Sequence, residues 1–154
     1  MKESEKEWIQ GRATLGTTTK WTPEEIRLVA ELGYGLAEQG RISEAIILFE
    51  GLAALAPATV YFQAALGALW LRENDPQKAL PYLNYVLQID SRDVMALVNR
   101  GEVLMLLGNY EAAKKDFQTA LNIGGASRKK VLEHSVEEKS LTRANALLIS
   151  LGRQ

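Results

Sequence analysis

The sequence predicts an all-α fold, a solenoid of paired helices, and sets of equally spaced residues carry the prediction. Gly33, Gly67 and Gly101 lie 34 residues apart. Ala45, Ala79 and Ala113 keep the same interval, as do Phe49, Leu83 and Phe117. Gly40, Asn74 and Gly108 repeat it once more. A period of this length is one helix–turn–helix unit, and units that cannot bury their apolar faces alone stack side by side. Such a stack has an extended concave surface and no cleft by default, so its usual work is to hold a partner.

Local signals then place each element. Thr22-Pro23-Glu24-Glu25 is a helix start: a hydroxyl for a first-turn amide, a proline where the N–H is not needed, and an acid that closes a capping box. The first helix is expected over 23–39, ended by Gly40 in a left-handed conformation. Its partner runs over 43–56 and stops at Ala56-Pro57. A third helix covers 60–73. Asp75 then caps a fourth, with Pro76 at its first position, ending near residue 90. Pro81 falls inside that helix, which predicts a kink or local irregularity. The third pair is expected over 93–107 and 110–123, closed by Gly124-Gly125. A last helix over 127–151 carries Val131, Leu132, Val136, Leu141, Ala144, Leu148 and Leu151 at amphipathic spacing. It suits a terminal element that covers the last apolar face of the stack.

The repeated residue types have a packing reason. Glycine in mid-helix costs ~1 kcal/mol relative to alanine. Three such glycines in register predict a close approach by the paired helix, where a Cβ would clash. The repeated alanines meet the same need from the other side. The Phe49, Leu83 and Phe117 side chains are expected to fill the space between one pair and the next.

These residues resemble the tetratricopeptide repeat family, with copies at 26–59, 60–93 and 94–127. Gly101, Ala113, Phe117 and Ala120 lie close to the family pattern. Departures exist: Leu36 and Leu104 stand where an aromatic is usual, with Trp70 only in the second copy. Pro57 matches the terminal proline, whereas Ser91 and Gly125 replace it. More narrowly, three repeats between a polar lead (1–21) and one C-terminal helix (128–154) are similar to the chaperones of type III secretion translocators. The strings from Leu48 to Leu55, Tyr61-Phe62 with Leu66-Gly67-Ala68, and Gly101 to Leu104 with Leu107-Gly108 carry that likeness.

In the family, the first helix of each pair lines the concave face. The helical period then selects Arg27, Ala30, Tyr34 and Glu38 from the first pair, and Tyr61, Ala64, Ala68, Leu71 and Arg72 from the second. The third pair supplies Met95, Val98, Glu102 and Met105. Small residues leave room for a backbone, while Met and Tyr adapt to side chains laid against them. The lysine, arginine and asparagine clamp that family members use for acidic C-terminal tails is missing. The resemblance therefore implies a chaperone holding an extended apolar segment of a secreted protein. The alternatives are an adaptor or scaffold docking a folded protein, a needle-subunit chaperone, or a regulatory domain or enzyme accessory subunit.

Several function classes find no support. The net charge of −1 gives no electrostatic reason to expect nucleic acid or an anionic membrane as partner. Without cysteine there is neither a disulfide framework nor a thiolate metal site. The one histidine, His134, has Glu133, Glu137 and Glu138 nearby, which points to a solvated face more than to a metal. No nucleophile, base and orienting acid can be assembled, so neither catalysis nor a cofactor is expected. The polar lead, in which Ser4 to Gln10 could form a short helix with Trp8 and Ile9 on one side, lacks the apolar stretch of a secretory signal, and the expected location is cytoplasmic. Trp8, Ile9 and Trp21 are candidates for self-association as a homodimer, or for folding back on the first repeat. Arg128-Lys129-Lys130 reads as a solvated face.

Overall fold

The computed structural model describes residues 21–127 and 136–152. They form helices α1 (Pro23–Glu38), α2 (Ile42–Leu55), α3 (Val60–Arg72), α4 (Pro76–Ile89), α5 (Val94–Leu106), α6 (Tyr110–Ser127) and α7 (Val136–Leu151). Each odd-numbered helix up to α5 packs on its even-numbered successor, making three pairs, and α7 packs on α5 and α6. The architecture is an α-solenoid of three helix pairs with a C-terminal capping helix.

The helix starts are those the capping residues dictate. The Thr22 hydroxyl accepts from the Glu25 amide at 3.2 Å, and the Glu25 carboxylate accepts from the Thr22 amide at 2.7 Å. The Thr22 amide, and after it the Thr22 hydroxyl donating to the same oxygen at 2.9 Å, hold the Glu25 carboxyl below the usual carboxylate range. Asp75 and Asp93 accept from the amides of Lys78 and Ala96, at 3.1 and 2.9 Å. The turns inside the pairs are three copies of one device. Gly40, Asn74 and Gly108 are left-handed, with φ of 79°, 59° and 81°. The next amide in each (Arg41, Asp75, Asn109) reaches back to Leu36, Trp70 and Leu104 at 2.8–2.9 Å, which satisfies a carbonyl that the helix end leaves open.

The repeated glycines mark the closest approach within each pair. A Cβ on Gly33 would come within 2.8 Å of the Phe49 ring, one on Gly67 within 2.8 Å of Leu83, and one on Gly101 within 2.5 Å of Phe117. Those three partners, and Ala45, Ala79 and Ala113 one turn earlier, are fully buried. The core divides into two clusters, one centred on Phe49 and Phe62, the other running from Leu83 through Phe117 to α7. Trp70 of α3 packs against both, so α3 is the seam between them.

One boundary differs from the sequence expectation, the end of α6. Pro81 does not interrupt α4, which is continuous from Pro76 to Ile89. The proline is exposed, and the bond it removes belongs to the carbonyl of Gln77, in the first turn of the helix. Gly124-Gly125 does not end α6, which continues to Ser127. Gly124 is buried directly beneath Leu141 of α7, so it repeats the glycine contact of the three pairs. The last helix is described only from Val136; Val131, Leu132, His134 and the cluster Arg128-Lys129-Lys130 lie outside the described residues. Within α7, Leu141, Ala144 and Leu151 form the buried face.

Candidate functional site

Curvature is set by which helices touch. Along one side, α1 meets α3 through Tyr34 and Tyr61, α3 packs on α5, and α5 packs on α7. Along the other side, α2, α4 and α6 share no comparable packing. Two hollows of about 260 and 330 Å³ lie between α4 and the α5–α6 pair, meeting at Asn84 and Arg100. A stack with touching first helices and spread second helices is concave on the first-helix side, where the sequence placed the candidate site.

The first two pairs keep that side open. Tyr34 and Tyr61 are 38% and 52% exposed, with ring centroids 5.7 Å apart and planes tilted by 55°. Each sits on a buried phenylalanine: Tyr34 edge-on to Phe49 at 5.2 Å, Tyr61 edge-on to Phe62 at 5.9 Å. Phe49 and Phe62 are themselves 6.3 Å apart. The aromatic pair is thus half core and half surface, which fixes the rings while leaving their outer faces free. Partial burial, with Tyr61 beside it, pushes the Tyr34 phenol up, so it stays a neutral donor at physiological pH. Met95, 44% exposed, stands at the register position of Tyr61 in the next repeat.

The two arginines of this side are already engaged. Arg27 pairs with both Glu24 and Glu31 on its own helix. Arg72 donates from Nη to the Ala37 carbonyl at 2.9 Å, tying α3 to the end of α1. Neither presents an unpaired guanidinium. Glu38 is exposed, and Ala64, Ala68, Leu71 and Met105 are half-buried; Ala64, Leu71 and Met105 also pack against the core.

Three residues of the expected lining are placed differently. Ala30 is buried in the first core cluster, because it faces the neighbouring helices and not the open side. Val98 is fully buried, since α7 packs over α5 there. Glu102 is held under the same helix: Arg143 of α7 lies 3.4 Å from one of its carboxylate oxygens and donates to Asn99 at 2.5 Å. These contacts escaped sequence reasoning because α7 lies outside the 34-residue register. Leu106 was within its reach. It is half exposed and occupies the register position of Glu38 and Arg72.

One part-buried polar cluster has no counterpart in the expected site. Arg100 of α5 makes a bidentate contact with Asp116 of α6 at 2.7 and 2.8 Å, and a third bond to Asn84 of α4 at 3.1 Å. The carboxylate holds the Arg100 guanidinium above its usual range. The cluster fastens three helices together. Among the described residues no group of three His, Cys, Asp or Glu side chains could hold a metal, and no helix is long and apolar enough to cross a membrane. Trp21 is exposed, while Trp8 and Ile9 lie outside the described residues.

Solved structures share this fold. The chain is similar to a type III secretion complex from Aeromonas hydrophila, with 20% identity and a TM-score of 0.77 over 99% of this chain and 97% of that one. It is similar to PcrH of Pseudomonas aeruginosa bound to the chaperone binding region of PopD (20%, TM-score 0.73, 86% and 95% covered). It is also similar to the type III secretion translocator chaperone SycD of Yersinia enterocolitica (16%, TM-score 0.72, 90% and 98% covered). A sequence model described as tetratricopeptide repeat matches residues 66–146, more than half of the chain. That match names the pattern drawn by Gly67 and Gly101 against Leu83 and Phe117: the chain belongs to the tetratricopeptide repeat family.

Proposed function

We propose that this protein is a cytoplasmic, non-enzymatic chaperone that holds an extended apolar segment of a secreted, translocator-like protein along its concave side. The observation that carries the proposal is the Tyr34–Tyr61 pair: two half-exposed rings, seated on buried phenylalanines, on the inner side of the stack. Met95 and Leu106 offer further exposed apolar surface on α5. Exposed apolar side chains held on rigid helices lose little entropy when a partner covers them, which favours an extended ligand with alternating apolar groups. PcrH, of similar fold, is bound to the chaperone binding region of PopD, and SycD is a translocator chaperone; both support a cargo of that kind.

An acidic C-terminal tail is a poorer ligand. Binding it would require Arg27 to leave Glu24 and Glu31, and Arg72 to leave the Ala37 carbonyl. The test compares two synthetic peptides by fluorescence anisotropy, one apolar and proline-containing, one ending in an acidic carboxyl-terminal run. The apolar peptide is expected to bind, and Tyr61→Ala to weaken it about tenfold or more. Binding of the acidic peptide alone would overturn the proposal.

A further inference from the structure

The two ends of the stack are treated differently. At the C-terminal end, α7 covers the last pair, with Leu141 lying on Gly124. At the N-terminal end, α1 carries Leu28, Leu32 and Gly35, spaced by four and three residues and so on one helix face. Leu28 and Leu32 are 52% and 58% exposed, and a Cβ on Gly35 would meet open space. The register shows what this face is for. One repeat later the same positions are Phe62, Leu66 and Leu69, all buried, and Ala96 and Val103 are their buried counterparts in the third pair. In those repeats the face packs on the second helix of the preceding pair, α2 or α4. Before α1 the described residues contain no such helix.

We infer that residues 4–10 of this chain, through Trp8 and Ile9, cover the Leu28–Leu32–Gly35 face of α1 and close the N-terminal end of the stack. The chain length allows it. Residues 1–20 lead through Trp21 straight into the α1 cap at Thr22. A segment joined there can return antiparallel to α1, as α2 and α4 run against α3 and α5. The eleven residues from Gly11 to Trp21 can span up to about 36 Å. Leu32 lies only about 14 Å along α1 from its start. Seven helical residues would cover about 10 Å, enough for the stripe from Leu28 to Leu32. Trp8 and Ile9 are the large apolar residues of that stretch, and its remaining residues (Ser4, Glu5, Lys6, Glu7, Gln10) suit a solvent face. Two leucines and a glycine offer a small part of the ~800 Å² per partner that a stable dimer needs, whereas a tether of this length supplies an effective concentration in the millimolar range. The segment in cis is therefore the favoured occupant over a second copy.

The absence of native cysteine gives a direct test. Gly35→Cys in the full chain places a single thiol on this face, where its Cβ meets none of the described atoms. Its labelling by a maleimide is compared with that of the Gly35→Cys, Trp8→Ala chain at several protein concentrations, after far-UV circular dichroism shows both folded. Leu28→Cys replaces Gly35→Cys if the first variant does not fold. The inference predicts labelling at least tenfold slower with Trp8 present, at every concentration. Equal rates in the two chains would overturn it. Protection that disappears on dilution would overturn it too, and would assign the face to a second copy.

Discussion

Tyr34 on α1 and Glu102 on α5 hold the same register position, yet they meet different neighbours. Tyr34 leans on Tyr61 of the next pair and keeps a free ring face; Glu102 is held under α7 by Arg143. Val98, in the register position of Ala64, is likewise fully covered. The inner side is thus open over the first two pairs and closed over part of the third. The backbone is repeated, but the surface it offers is set by the next element in the stack: another repeat leaves a groove, and a cap fills it. The junctions differ in kind as well. Arg100 and Asp116 fasten α5 to α6, with Asn84 of α4 attached, where the register one repeat earlier has Leu66 and Tyr82.

The sharpest break between the two halves should come from their glycines. Gly101→Leu forces a side chain into Phe117 and is expected to cost about 3 kcal/mol, read as a lower urea midpoint. Gly51→Leu, on an exposed face of α2 where a Cβ meets none of the described atoms, should leave the stability from the same urea curve within about 1 kcal/mol of the parent. Next in size is the polar junction. Asp116→Leu leaves the Arg100 guanidinium part-buried and unpaired, and is expected to cost about 2 kcal/mol. The pair Arg100→Leu with Asp116→Tyr copies the register residues Leu66 and Tyr82, and should recover most of that loss in the same denaturation measurement.

Smaller effects separate binding from folding. Tyr61→Ala should lose about 1.5 kcal/mol of peptide affinity in anisotropy titrations, while thermal unfolding shifts by about 1 kcal/mol or less. Loss of helical content instead would mean that Tyr61 belongs to the core. Arg143→Ala should be the mildest, below about 1 kcal/mol, because its partners are partly exposed. Its signature is local: faster amide exchange in α7 than in α1.

Much of this was legible in the sequence. The period set the pairs, and the turn residues Gly40, Asn74 and Gly108 set where each pair reverses, because left-handed backbone has few acceptable residues. The Thr22 and Asp75 caps were equally readable. Features outside the period were lost. The reach of α7 over Val98 and Glu102 depends on a helix outside the register, so no spacing announced it. Gly124-Gly125 looked like a terminator because glycine propensity was read locally, whereas Gly124 is stabilised by a tertiary contact with Leu141. Ala30 was assigned by helical phase alone, and a small residue near the boundary of two faces gives phase no leverage. Leu106 was overlooked although Glu38 and Arg72 pointed to it by register.

Site-specific photo-crosslinking asks most directly whether the inner side holds the ligand. A photoreactive residue is placed at Tyr61, on the inner side, and separately at Ile47, an exposed residue of α2 on the outer side. Each chain is irradiated with the apolar, proline-containing peptide. An adduct is expected from position 61 and none above background from position 47. An adduct from position 47 matching or exceeding that from position 61 would place the ligand on the outer side and refute the concave-groove reading.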